Sequence, residues 1–230
     1  MDALAQLGPE EWQAFWLSLR IGFWSTALSL PLAYLLAYAL ARYRFPLHAF
    51  LDGLVHLPLV LPPVVTGLVL LMLFGRHGPL GRLLEDWFGI TIAFKWTGAA
   101  VASAVMGMPL MVRAMRLSIA AIDRRLEGAA RSLGANPFWV FLTVTVPLSL
   151  PGILAGAMLA FARGFGEFGA TITFVSNIPG ETRTLPIAIY SFLQMPNGEG
   201  PALRLAVVSV IVAMVALAGS EILERRWQRP

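Results

Sequence analysis

The sequence predicts an all-α integral membrane protein with about five transmembrane helices, and three observations carry that prediction. Of 230 residues, 57% are hydrophobic and only 13% are charged, about half the charged share of a soluble domain. Apolar runs of bilayer-crossing length recur near 21–40, 54–74, 96–112, 138–162 and 202–220. The basic residues fall between these runs, and more of them on one side than the other. We read the whole chain, 1–230, as one transmembrane domain. A net charge of +4 and a pI near 10.1 would suggest nucleic acid in a soluble protein. Here the cations flank apolar spans, so a lipid bilayer surface accounts for them and no nucleic-acid partner is expected. Cysteine is absent, which excludes disulfides, thiolate metal sites and cysteine nucleophiles.

Residues 1–19 hold Asp2, Glu10 and Glu11 and no basic residue, so they lack the positive start of a cleavable signal and are expected to be retained. The run Ile21–Leu40 carries no charge. Pro31 should kink it, and Arg20 at its edge reads as a snorkelling residue. In the second span Pro58, Pro62 and Pro63 argue against a regular helix through its first half, and a broken helix is tolerated where it packs in protein or lines a cavity. The third span, 96–112, ends at Arg113. The fourth, 138–162, is interrupted by Pro147 and Pro151 and contains the close-packing spacing Gly152-x-x-x-Gly156. Residues 163–201 are polar and glycine- and proline-rich around one apolar piece, Thr184–Met195, too short to span. This piece reads as re-entrant or interfacial.

Orientation follows from the basic residues of the connections. One side collects Arg42, Arg44, Arg113, Arg116, Arg124, Arg125, Arg131, Arg225, Arg226 and Arg229; the other has Arg76, Arg82, Lys95, Arg183 and Arg204. Ten against five places the N-terminus outside and the C-terminus inside. It also puts the long polar loop 123–147 in the cytoplasm.

That loop still has helical periodicity. Leu126, Ala129, Ala130 and Leu133 recur at i, i+3, i+4 and i+7, one small apolar stripe. Asp123 is a candidate N-cap, Gly134 can supply a left-handed residue past the helix end, and Pro137 blocks continuation. A helix over 124–133 would be about 15 Å long, too short to cross a bilayer. Its short length, small residues and arginine flanks suit docking against a partner; an amphipathic linker in the headgroup layer is the other reading.

Other motifs carry less. Gly164-Phe-Gly166-Glu-Phe-Gly169 satisfies a dinucleotide-binding spacing but follows a membrane span instead of a strand. There is no GxxxxGK[ST], so any ATPase is a separate chain, and no nucleophile–base grouping suggests an enzyme. His48, His56 and His77 are scattered without ligand partners, so no metal site is expected. Arg163 and Glu167, four apart, form either a structural ion pair or a contact for an anionic solute, with the pair favoured because ionisable groups at membrane depth usually find one another.

The loop resembles the EAA loop of ATP-binding-cassette (ABC) importer permeases, in which Glu-Ala-Ala is followed by three residues, Gly, nine residues and Ile-x-Leu-Pro. Here the register falls on Gly128-Ala129-Ala130, Gly134 and Val144-Thr145-Val146-Pro147. Gly128 stands where the family usually has Glu, and Glu127 lies one position early. The stretches 56–67, 86–94, 109–116 and 159–190 are similar to the membrane subunit of molybdate transporters within that family, and sulfate/thiosulfate and tungstate permeases share parts of them.

The resemblance implies a MetI-like ABC permease fold in the bacterial inner membrane, with two copies forming the pathway. It also implies two ABC ATPase subunits that use ATP and Mg, a periplasmic molybdate-binding protein, and no cofactor bound by this chain. Glu127, Gly128, Ala129, Ala130, Leu133, Gly134 and Ala135 would form the ATPase-coupling loop. Arg163, Glu167, Thr171, Pro62 and Pro63 are candidates for the pathway or its gate. Energetics agree: each charge moved across 100 mV is worth about 2.3 kcal/mol, so importing a divalent anion costs about 4.6 kcal/mol. The spans hold one titratable relay candidate, His56. A secondary carrier or a structural membrane subunit are the competing classes.

Overall fold

The computed structural model describes residues 7–227; Asp2, cited above for the acidic N-terminal segment, and Arg229, counted for orientation, lie outside them. Helices α1 (Pro9–Arg42), α5 (Trp96–Ala121) and α11 (Glu199–Trp227) are each long and apolar enough to cross a membrane. Two bent pairs bring the count among the described residues to five when each pair is taken as one span: α2 (His48–Val60) with α3 (Pro63–Phe74) at 116°, and α7 (Pro137–Leu148) with α8 (Leu150–Phe165) at 65°. Shorter helices fill the connections: α4 (Pro79–Phe88), α6 (Arg124–Ser132), α9 (Gly169–Val175) and α10 (Leu185–Leu193). Among the described residues there is no strand.

The helices overrun the apolar windows, because capping chemistry and not hydropathy sets where a helix begins and ends. α1 starts at Pro9, where proline needs no N–H partner, and the Glu11 carboxylate accepts the Gly8 N–H at 2.5 Å. α5 does not stop at Arg113. It continues to Ala121, and Arg116 in that extension reaches Asp52 of α2 at 2.7 Å. The stretch 54–74 is broken into two helices where Pro62 and Pro63 remove donors and force extended backbone before them. The stretch 138–162 likewise bends at Ser149, just before Pro151.

α5 is the centre. Ala99, Ala102, Met106, Met111, Val112, Met115 and Ile119 are all buried, and they join two apolar clusters along its length. α8 lies directly on it. A methyl at Gly152 would stand 2.3 Å from Ser118 Cβ, and one at Gly156 2.9 Å from the Met111 carbonyl oxygen. The glycine spacing therefore brings two backbones together, which in lipid is the main source of helix association. Arg20 does not merely snorkel; its guanidinium lies 3.8 Å from the ring centre of Trp96.

Ion pairs gather at two ends. One end holds Arg42–Glu127 and Arg116–Asp52; the other holds Arg204–Glu11, Arg183–Glu10 and Arg76–Glu85. Between them the packing is largely apolar, with charge admitted as a pair, Arg163–Glu167, as expected where unpaired charge is costly.

Candidate functional site

The predicted loop helix is α6. The Asp123 carboxylate accepts the Arg125 N–H at 2.9 Å, which starts it. Gly134, at φ +90°, ends it one residue earlier than the periodicity suggested. The Ala135 N–H reaches the Ala130 carbonyl at 3.1 Å and the Gly134 N–H reaches Arg131 at 2.9 Å, the paired bonds of a left-handed glycine stop. Asn136 then accepts the Trp139 N–H at 2.8 Å and caps α7, with Pro137 at its first position.

No residue of α6 is buried, so its two faces are distinguished by what they meet. Arg124, Glu127, Gly128 and Arg131 turn toward the end of α1 and line a cavity there. Leu126, Ala129, Ala130 and Leu133 lie on the opposite side of the turn, with Leu126 50% and Leu133 89% exposed. Glu127 does not belong to that outward stripe. Its carboxylate accepts from Arg42 of α1 at 2.8 Å and from the Thr145 hydroxyl of α7 at 2.9 Å.

Thr145 sits in a wide π turn, Phe141–Thr145, inside α7. Such turns carry one extra residue per turn and often mark functional positions. Phe141 packs edge-on against Tyr34 and Tyr38 of α1, and the Tyr34 and Ser149 hydroxyls are 2.8 Å apart. α6, α7 and the last turns of α1 are therefore one braced unit. Sequence reasoning missed this brace: Arg42 and Glu127 are 85 residues apart, and nothing local links them.

The pathway candidates divide. Arg163 and Glu167 form the ion pair, and Glu167 is buried, its other oxygen accepting the Ala170 N–H at 2.8 Å at the start of α9. Thr171, also buried, has a hydroxyl without a hydrogen-bond partner among the described residues, as does Thr66 of α3, which sequence reasoning did not single out. Pro63 meets this group, since a methyl at Gly169 would be 2.8 Å from its Cβ. Pro62 is exposed at the bend. Pro63, Glu167, Thr171 and Arg163 thus surround the contact of α3, α9 and the end of α8, and Pro62 lies at its edge.

Residues 29–229 match the family described as "Binding-protein-dependent transport system inner membrane component". The chain belongs to that permease family. Among its relatives, the Escherichia coli K12 molybdenum transport system permease protein ModB is 56% identical over 94% of both chains. ModB of Haemophilus influenzae is 52% identical over 93% of both, and ModB of Mycobacterium tuberculosis is 42% identical over 92% of this permease and 79% of its own length. By structure, the permease is similar to a chain of the inward-facing MetNI methionine ABC transporter (TM-score 0.69, 17% identity, 98% of both chains). It is also similar to a chain of a bacterial alginate-importing ABC transporter (TM-score 0.76, 16% identity, 100% of this permease and 84% of that chain). The structural likenesses establish an all-α, MetI-like ABC permease fold.

Proposed function

We propose that this permease is the membrane-spanning subunit of an ATP-driven molybdate importer. Two copies enclose the pathway, two separate ATPase subunits bind from the cytoplasm, and a periplasmic molybdate-binding protein delivers the ion. The N-terminus lies outside and the C-terminus inside, as the count of basic residues requires. Glu127, Gly128, Ala129, Ala130, Leu133, Gly134 and Ala135 form the coupling loop, and Arg163, Glu167, Thr171, Pro62 and Pro63 border the pathway.

The observation that carries this reading is the outward stripe of α6. A leucine exposed to 89% at the C-cap of α6, beside two alanines of a helix braced from behind by Arg42 and Thr145, makes a surface built to be covered. The small side chains let a cleft approach the backbone, and the brace passes its movement to α1 and α7. Molybdate is supported by the identity to the ModB proteins over nearly the whole chain. An ATPase as energy source is supported by the roughly 4.6 kcal/mol needed to bring a divalent anion inward against 100 mV.

The test combines co-purification with uptake. Vesicles holding the permease, ATPase and binding protein are expected to accumulate labelled molybdate only with ATP. Ala129→Arg is expected to release the ATPase while leaving the permease folded, because Ala129 is exposed. Uptake without ATP would establish a secondary carrier instead. Competition by sulfate or tungstate at equal strength would move the substrate assignment.

A further inference from the structure

Behind the docking stripe, between α6 and the end of α1, lies a cavity of about 240 Å³. From α1 and the turn after it come Tyr38, Arg42 and Tyr43; from α6 come Arg124, Glu127, Gly128 and Arg131. Three arginines and a single glutamate thus line it, and the glutamate's carboxylate is already engaged by Arg42 and Thr145. Arg42 is itself more than nine-tenths buried, and its Nε–H has no partner among the described residues. Arg124 and Arg131 have no carboxylate within 4.0 Å among the described residues. The cavity adjoins a second cleft of about 620 Å³ that shares Arg42, Tyr43 and Arg124 and adds Arg44, Arg116 and His48. Of these, Arg116 is neutralised by Asp52.

We infer that this cavity is a binding site for a tetrahedral oxyanion: the phosphate of an anionic lipid headgroup, or a free ion of the same shape. Apart from Glu127, its polar side chains are guanidinium and phenol groups, which donate to anionic oxygen, and arginine suits phosphate-like oxygens because it offers parallel N–H groups. Basic pockets at the cytoplasmic ends of membrane helices are where lipid phosphates are held. Tyr38 and Tyr43, with ring centres 5.9 Å apart, are the amphipathic residues found at the headgroup level.

Gly128 keeps the site open. A Cβ there would meet nothing within 4 Å, so a side chain at 128 has room to enter the cavity. At the position where the resembled pattern carries glutamate, this chain has no side chain, and the positive charge stays uncompensated. An occupant would bridge α1 to α6 and stiffen the seat of the docking helix.

The site does not require an ATPase, so it is tested on the permease alone, which separates its failure from failure of the coupling reading. The full chain is placed in lipid nanodiscs of neutral phosphatidylcholine, with and without phosphatidylglycerol. Retained lipid is read by native mass spectrometry, and molybdate and inorganic phosphate are added separately to the neutral discs while thermal stability is followed. Gly128→Glu, which adds a carboxylate where there is room for it, is expected to weaken binding about tenfold or more. Arg131→Gln, at an exposed position, repeats the test without added volume.

Selective retention of phosphatidylglycerol, lost in both variants, assigns the site to a lipid phosphate. A stability shift by molybdate or phosphate in neutral discs, lost in both variants, assigns it to a free oxyanion. No selective binding, or binding unchanged in both variants, overturns the site.

Discussion

The brace behind α6 gives the sharpest quantitative prediction. Glu127→Ala removes the carboxylate that holds Arg42 at 2.8 Å, where the side chains are only 7% and 12% exposed. The guanidinium stays in place, and its Nε–H is already without a partner among the described residues. Breaking a buried pair by deleting one member costs about 3–5 kcal/mol, since a buried charge is left uncompensated. The neighbouring polar cavity lets water reach this guanidinium, which favours the lower end, about 3 kcal/mol. For a chain of this size each kcal/mol moves the thermal midpoint by about 2–4 °C, so a fall of roughly 6–12 °C is expected.

Arg42→Met alone should cost less, because Glu127 keeps its bond from Thr145. The double variant Arg42→Met/Glu127→Leu should recover most of the loss, since replacing both charges by apolar groups removes the unpaired ion. The assay is a double-mutant cycle on thermal midpoints of the purified permease. A Glu127→Ala shift below about 2 °C, or strictly additive losses, would refute the brace.

Two further predictions concern the end of the molecule near the candidate pathway. At Gly67 a methyl would stand 2.5 Å from the Ala170 carbonyl oxygen and 2.9 Å from its Cα, so Gly67→Ala must push α3 and α9 apart and is expected to destabilise by about 1–3 kcal/mol. Gly53→Ala, where nothing lies within 4 Å, should show no such loss in the same melt. Ser176, which ends α9, is held at φ 64°, ψ −162°, a region nearly reserved for glycine that costs a side-chain-bearing residue about 1–3 kcal/mol. Ser176→Gly should therefore raise the thermal midpoint, and a fall would mean that the serine side chain makes a contact of greater value.

The membrane class, the helical content and the short helix of the 123–147 loop were all legible because they rest on local regularities. Apolar run length reports a span, and the spacing of Leu126, Ala129, Ala130 and Leu133 reports one face of a helix. Asp123, Gly134 and Pro137 mark its limits through backbone chemistry that operates within a few residues. The ion pair of Arg163 and Glu167 was legible for the same reason, since four residues make one helical turn.

What the tertiary structure decided was everything set by contacts between distant segments. The sequence permitted either role for Arg163, and only packing gave Glu167 its second bond to the start of α9. Nothing near Glu127 announced that its partner would be Arg42, or that Gly128 would open a cavity at that junction. Helix ends also escaped the hydropathy reading: α5 carries its arginines past the apolar run because one of them finds Asp52 across a helix interface. Local pattern fixes which segments must be buried or turned, since solvent and backbone act on each residue where it stands. Which charged groups meet depends on how the buried segments cross, and that is a property of the whole fold.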